Sequence, residues 1–143
     1  MRYMVMRIRG FTLVELMMVA AILGIIIAIA IPSYTRWALQ SRRSDAHRIL
    51  ATIVLLQERR LSECAAYTTT FTGNITDCAS GGLGLTSSYS PDKHYEVTIT
   101  APTTTSYTLS AAPVPGGVQQ QDTVCPTITL NSLGLKGPSA NCW

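Results

Sequence analysis

The chain has 143 residues, 47% of them hydrophobic and 13% charged, a length that suits about one domain and a composition too apolar for a disordered segment. Its net charge of +3 is unevenly placed: residues 1–60 hold nine arginines against Glu15, Asp45 and Glu58, whereas the rest holds Lys93 and Lys136 against Glu63, Asp77, Asp92, Glu96 and Asp122. The excess positive charge flanks an apolar segment instead of covering a folded face, which disfavours a surface built for nucleic acid.

In chain order, the first predicted element is a span. Residues 16–35 carry no charge over twenty positions, about 30 Å as an α-helix and enough to cross the hydrocarbon core of a bilayer. Arg2, Arg7 and Arg9 precede it with no acid among them, so the amino terminus is expected to stay cytoplasmic and the remainder to cross, although Arg36, Arg42 and Arg43 act against that bias. A cleaved secretory signal is the rival. Ala28 and Ala30 imitate its cleavage site, but Ile31-Pro32 interrupts it and the apolar run is long for such a segment.

Beyond Pro32 the helical pattern continues with a different character. Ala46, Ile49, Leu50, Ile53, Leu56 and Leu61 recur at spacings of three and four, with Arg42, Arg43, Asp45, Arg48, Glu58, Arg59 and Arg60 among the other positions, the pattern of a helix burying one face. Three later segments alternate as strands do: 95–100, with Tyr95, Val97 and Ile99 on one side; 106–111, with Tyr107, Leu109 and Ala111; and 127–130, with Ile128 and Leu130. The turn-forming stretch after Pro102 suits a hairpin loop between the first two. Residues 65–92, with Gly81, Gly82 and Gly84, read as a long connecting loop, and 113–121 as a second. The expected fold is α+β, one long helix, half membrane and half amphipathic, whose outer half lies on a small antiparallel sheet.

Cys64, Cys78, Cys125 and Cys142 all follow the span, and an even number in a translocated domain points to disulfides. Of three pairings, Cys64–Cys78 with Cys125–Cys142 is the simplest, each closing a short loop worth about 3 kcal/mol in the chain-entropy model. No pair has metal-ligand spacing, and neither His47 nor His94 lies beside a cysteine pair. Motifs of nucleophilic, phosphate-binding or zinc chemistry are missing from the sequence, so neither a catalytic residue nor a cofactor is assigned. His94 reads as a surface histidine, His47 as one on the polar helix face, and Asp77, Asp92, Glu96 and Asp122 as solvated charges. Asn74-Ile75-Thr76 matches the N-glycosylation pattern, which three residues often match by chance.

The specific signal lies at the front, in Arg7-Ile8-Arg9-Gly10-Phe11-Thr12-Leu13-Val14-Glu15-Leu16. A carboxylate at the inner edge of a span would cost several kcal/mol unless paired, and an ordinary anchor has no use for it. This stretch resembles the class III signal of type IV prepilins, in which a short basic leader ends in Gly, Phe follows, and Glu is the fifth mature residue. The resemblance runs strongly over residues 7–60, through Gly24, Pro32 and Tyr34. The back half resembles minor pilins of the PilE kind in the run 107–113, in Cys125, in the run 129–134 and in Cys142-Trp143, while Cys64 and Cys78 depart from the single C-terminal bridge expected there.

The resemblance implies a leader of residues 1–10, a transmembrane and assembly helix of 11–35, and a periplasmic, later extracellular, head of 36–143. A prepilin peptidase would cut between Gly10 and Phe11, and the new Phe11 amine would be methylated and neutralised by Glu15 in the same chain or a neighbour. Leaving either charge unpaired in an apolar fibre core would destabilise by roughly 3 to 5 kcal/mol. Gly24 and Pro32 weaken the helix between them, a stretch that can lose helix in assembled pili of this family. The implied partners are other major and minor pilins, the peptidase, an inner-membrane assembly platform, a tip adhesin, and membrane lipid before assembly. The implied role is a minor pilin of a fibre for adhesion or twitching motility. The rivals are a pseudopilin of a type II secretion system and, from another class, a membrane-anchored periplasmic binding domain or enzyme.

Overall fold

The computed structural model describes residues 10–100 and 103–143; residues 1–9 of the expected leader and Pro102 of the expected hairpin lie outside them. One helix, α1, spans Leu13–Cys64, 52 residues, with Pro32 inside it. The chain divides into two compact units, one ending at Trp37 and the other running Ala38–Trp143. In the first unit every described side chain is exposed, and nothing in the most apolar 18-residue window of α1 is buried. In the second, α1 turns one stripe inward, and Ala46, Leu50 and Ile53 are wholly buried.

That stripe packs on a four-stranded antiparallel sheet in the order β1 (Tyr95–Thr100), β2 (Thr108–Pro113), β3 (Ile128–Asn131) and β4 (Lys136–Gly137). Val97 pairs with Ala111 and Ile99 with Leu109, and Leu109 and Ala111 pair with Leu130 and Ile128. The side-chain period of two therefore aims Tyr95, Val97, Ile99, Leu109, Ala111 and Ile128 at the helix. Each large apolar side chain buried there contributes about 1.5 to 3 kcal/mol.

The expected strands stand, with shifted ends. β2 starts at Thr108 instead of 106 because the segment before it is held otherwise. Tyr107, though 2% exposed, meets Tyr67 edge-on at 4.7 Å, and its carbonyl accepts the Ser132 N–H. The inward phase of Tyr107, Leu109 and Ala111 is unchanged. β2 ends at Pro113, which has no N–H to continue a ladder. β4 had no sequence signature, since two residues show no periodicity. It is positioned by Asn131, whose side-chain oxygen accepts the N–H groups of Leu133 and Leu135, and by Gly134 at φ +77°.

The 65–92 loop lacks helix and ladder strands but is organised. Ile75 and Leu83 are buried, Leu83 donates to Thr70 and Leu85 to Phe71 through the backbone, and the Cys64–Cys78 bridge ties the loop to the end of α1 with Cα atoms 5.2 Å apart. Tyr89 makes a single bridge to Glu96, beside β1. At Gly82 a Cβ would lie 1.9 Å from the Thr72 carbonyl oxygen and 2.6 Å from that of Thr70, backbone atoms that cannot rotate away. Gly82→Ala is expected to destabilise the head by at least ~2 kcal/mol, read as a lowered thermal transition of the full chain in detergent. Gly24→Ala meets nothing within 4 Å and should leave that transition in place.

Candidate functional site

In the first unit, residues 10–12 precede the helix without regular structure, and Phe11 is 84% exposed. Thr12 starts the helix. Its hydroxyl accepts the Glu15 N–H at 3.2 Å, and its carbonyl accepts that of Leu16 at 3.2 Å. Thr12-Leu13-Val14-Glu15 has capping-box spacing, a signal overlooked when Glu15 is read only as the partner of an amine. An acid in the first turn also complements the helix dipole by about 0.3 to 1 kcal/mol. Of the residues singled out in the sequence here, Gly10, Phe11, Glu15, Gly24 and Pro32, none packs on another; the structure brings together Thr12 and Glu15.

Gly24 lies within α1 with open space where a Cβ would be, so no close approach in this chain requires a glycine there. Pro32 leaves the Ala28 carbonyl without its helical donor, yet α1 runs through both positions as continuous helix. Hydroxyls flank the proline: Ser33 donates to the Ile29 carbonyl at 3.2 Å and Thr35 to that of Pro32 at 3.0 Å. Neither hydroxyl serves the Ala28 carbonyl, and back-bonding of this kind favours a slight bend over added support.

In the second unit, three polar residues of α1 that the amphipathic pattern assigns to the solvent are buried: Arg43 holds the segment before Cys125, and Asp45 and Arg60 hold two different parts of the 65–92 loop and its entry to β1. Arg43 grips Asp122 bidentately, Nε to Oδ2 at 2.7 Å and Nη2 to Oδ1 at 2.8 Å, and donates through Nη1 to the Asn141 carbonyl at 2.9 Å. Gln119 donates to Asp122, to the Leu39 carbonyl and to the Tyr95 hydroxyl, and the Cys125 N–H donates to Asp122. Asp122, expected to be solvated, is 4% exposed. Asp45, 1% exposed, accepts from the Ser90 hydroxyl, the Asp92 and His94 N–H groups and Arg48, which also pairs with Asp92. Arg60, 5% exposed, donates to the carbonyls of Ile75, Gly82 and Asp77 at 3.1, 3.4 and 3.1 Å. Read backward from Ala46 and forward from Ile53, the spacing of three and four already passes through Arg43, Gln57 and Arg60. The buried stripe runs through these polar residues, whereas Leu56 and Leu61, which apolar spacing alone assigns to it, are only half-buried.

His47 likewise leaves the polar face, its Nε2 2.8 Å from the Cys142 carbonyl and its ring stacked on Trp143 at 4.7 Å. Cys142 is bridged to Cys125, with Cα atoms 5.7 Å apart. Asn74, in the glycosylation pattern, accepts from the Thr76 N–H and hydroxyl in a local turn. Among the described residues no group of three or more His, Cys, Asp and Glu could hold a metal. A cleft of about 340 Å³ lies beside Gln40, Arg43, His47 and Trp143, with Arg43 engaged by the Asn141 carbonyl and His47 stacked on Trp143.

Similarity to known proteins divides along the same lines. Residues 5–31 match the prokaryotic N-terminal methylation motif, and residues 32–129 match the family described as type IV minor pilin ComP, DNA uptake sequence receptor. The chain is 44% identical over 61 residues to the type IV major pilin protein PilA of Myxococcus xanthus, covering 43% of this chain and 28% of that one. It is 49% identical over 41 residues to the fimbrial protein EcpC of Eikenella corrodens, covering 29% and 27%. These matches span less than a third of the length of either relative.

Burial pushes the Asp122 carboxyl up, but the Arg43 guanidinium and the Cys125 and Val124 N–H groups outweigh it and hold its pKa below the usual carboxylate value. A carboxylate lowered in the folded state stabilises fully above its unfolded pKa, about 4, and loses that contribution as pH falls through the folded value. Asp122→Asn should therefore destabilise the head at pH 7 by roughly 3 kcal/mol, because it leaves Arg43 buried without its anion. The deficit should begin to shrink below about pH 4, where the unfolded carboxylate takes up its proton, and vanish as pH falls through the lowered folded value, where the native aspartate is protonated too. Denaturant unfolding of both proteins from pH 7 to 2 measures it; a deficit constant with pH would show that the charge of Asp122 is not its source.

Proposed function

We infer what this chain does from the family to which it belongs, that of the type IV minor pilin ComP: it is a pilus subunit whose activity is assembly. The observation that carries this reading is the placement of two different jobs on one helix. Phe11, just before α1, and Glu15, in its first turn, stand ahead of a wholly exposed apolar segment, and the later part of α1 carries the core of a disulfide-bonded head. An exposed apolar helix in water is unsatisfied; a bilayer before assembly and the same segment of neighbouring subunits afterwards are both apolar surroundings that would cover it.

In this reading residues 1–10 are a leader that prepilin peptidase removes. The Gly10–Phe11 bond precedes the first helical residue, where a protease can accommodate extended backbone, and Gly10 has no side chain to crowd it. The Phe11 amine, methylated as the matched motif implies, is then a cation in apolar surroundings, and Glu15 neutralises it from its own chain or from a neighbour. Residues 11–35 form the membrane and then assembly helix, in which Gly24 and Pro32 are the places where helix can loosen as the fibre packs. Residues 36–143 form the head, periplasmic and then extracellular. Other pilins, the peptidase, the inner-membrane assembly platform and a tip adhesin are the proposed partners, and adhesion or twitching motility the proposed use.

A second reading, reception of DNA at the head, is favoured by the description of the matched family. Residues 38–143 carry seven cations and seven acids. Arg43 is occupied by Asp122, Arg60 by carbonyls, and Arg48 by Asp45 and Asp92, which leaves Arg42, Arg59, Lys93 and Lys136 to meet phosphate. Salt-dependent retention of duplex DNA by the purified protein separates this reading from a purely structural subunit.

Two substitutions test assembly. Gly10→Arg should leave full-length precursor in the membrane fraction, detected as an unshifted intact mass; normal maturation would count against leader removal at this bond. Glu15→Ala should be inserted and disulfide-bonded, with at least a tenfold drop in the sheared-pilus fraction. Wild-type incorporation would make the charge pair dispensable. Loss of the folded head would instead assign Glu15 to folding; the Thr12 cap is not at stake, because it uses the residue-15 backbone N–H, which alanine keeps.

A further inference from the structure

The end of the apolar segment of α1 differs from its beginning. From Leu16 to Ile31 the side chains are aliphatic, Met, Ala or Gly, and then Ser33, Tyr34, Thr35, Arg36 and Trp37 follow Pro32. Tyr34 and Trp37 are three residues apart, so they share a helix face. Their ring centroids lie 6.0 Å apart with planes tilted by 37°, and they are 67% and 62% exposed. The hydroxyls of Ser33 and Thr35 are turned back onto helix carbonyls, which leaves the aromatic pair and Arg36 as the groups this rim offers outward.

We propose that Tyr34 and Trp37, with Arg36, form an interfacial anchor that seats in the lipid headgroup layer on the far side of the bilayer from Glu15, and so sets the depth of the helix before assembly. The inference rests on the reading of this segment as a membrane span. Three observations choose headgroups as the occupant. Tyr and Trp join an apolar body to a polar tip, the chemistry of a membrane–water boundary; a face meant only to meet hydrocarbon or an apolar neighbour has no use for either tip. Arg36 lies between them in sequence, and its guanidinium complements lipid phosphate. Glu15 and Trp37 are separated by 22 residues of α1, about 33 Å at helical rise, against a hydrocarbon core of about 30 Å. With Trp37 held among headgroups on one side, Glu15 reaches those on the other, and its carboxylate escapes the hydrocarbon. The Gly10–Phe11 bond, still nearer the amino terminus, is then presented outside the core on that same side. The anchor thus positions the site of processing from the opposite end of the span.

The test is depth-resolved quenching of Trp37 fluorescence in full-length protein reconstituted into phosphatidylethanolamine–phosphatidylglycerol vesicles. Trp143→Phe removes the other of the two tryptophans. A spin label near the headgroup should quench Trp37 at least twofold more than one at the acyl terminus. Equal or stronger quenching from the deep label overturns the anchor, as does an unquenched Trp37 in protein that floats with the vesicles. Failure to float would overturn the membrane span itself and the anchor with it. Independently, replacing both rings by Leu should slow leader removal in cells several-fold, while exchanging them, Tyr34→Trp with Trp37→Tyr, should preserve it. Wild-type processing of the double Leu protein overturns the proposed control of depth, and failure of the exchanged pair to preserve processing overturns its assignment to interfacial chemistry.

Discussion

The second unit depends on the grip of Arg43 on Asp122. A guanidinium with two bonds to one carboxylate sits 9% exposed at the beginning of the helical stripe that carries the core. Asp122 also accepts from Gln119 and from the Cys125 N–H, and Gln119 donates to the Tyr95 hydroxyl at the start of β1. The helix, the first strand and the segment before the Cys125–Cys142 bridge are thus joined through a single anion. The sheet presents few large side chains to the helix, and its last strand has two residues. Connections that a larger apolar core would supply by contact area are made here by directed hydrogen bonds, which fix one arrangement but fail together when the charge is lost. The same enclosure raises the Tyr95 phenol: burial, with the Asp122 charge beside it, pushes its pKa to about 12.

Asp45 and Arg60 repeat this device with different chemistry. Asp45 gathers N–H and O–H donors at the turn that leads into β1, so the strand enters at a fixed height on the helix. Arg60 instead gathers carbonyls. Both belong to α1, which is therefore more than the apolar floor of the sheet. It is a rod bearing polar clasps for three irregular stretches, around Ile75–Gly82, Ser90–His94 and Asp122.

Sequence alone discloses what repeats and conceals what converges. Tyr95, Val97 and Ile99 alternate with Glu96, Thr98 and Thr100, and every one of the three apolar residues faces the helix, because a period of two leaves the strand one way to bury them. The helix was legible for the same reason, and its membership of the pilin family was legible in Gly10, Phe11 and Glu15. The clasps were not. Asp122 is 79 residues from Arg43, and no local pattern tells a carboxylate awaiting a guanidinium from one awaiting water. His47 was misplaced on the polar face because its partners, Cys142 and Trp143, lie at the other end of the chain. β4 was invisible because its two residues are placed by a turn, and the capping box at Thr12 lay in plain view beside a more specific motif.

Arg60 holds its loop by main-chain oxygens, and that has a consequence for how the surface can vary. The carbonyls of Ile75, Asp77 and Gly82 exist whatever side chains those positions carry, and residues 76–80 are all exposed. Substitution at Thr76, Ala79 or Ser80 changes what the loop shows to the outside without loosening what Arg60 holds. The exceptions are Gly81 and Gly82, where any Cβ strikes backbone, Ile75, which is buried, and Cys78, which is bridged. The head thereby separates its shape from its outward chemistry over this stretch, and mutation can recolour the loop while its path stays the same.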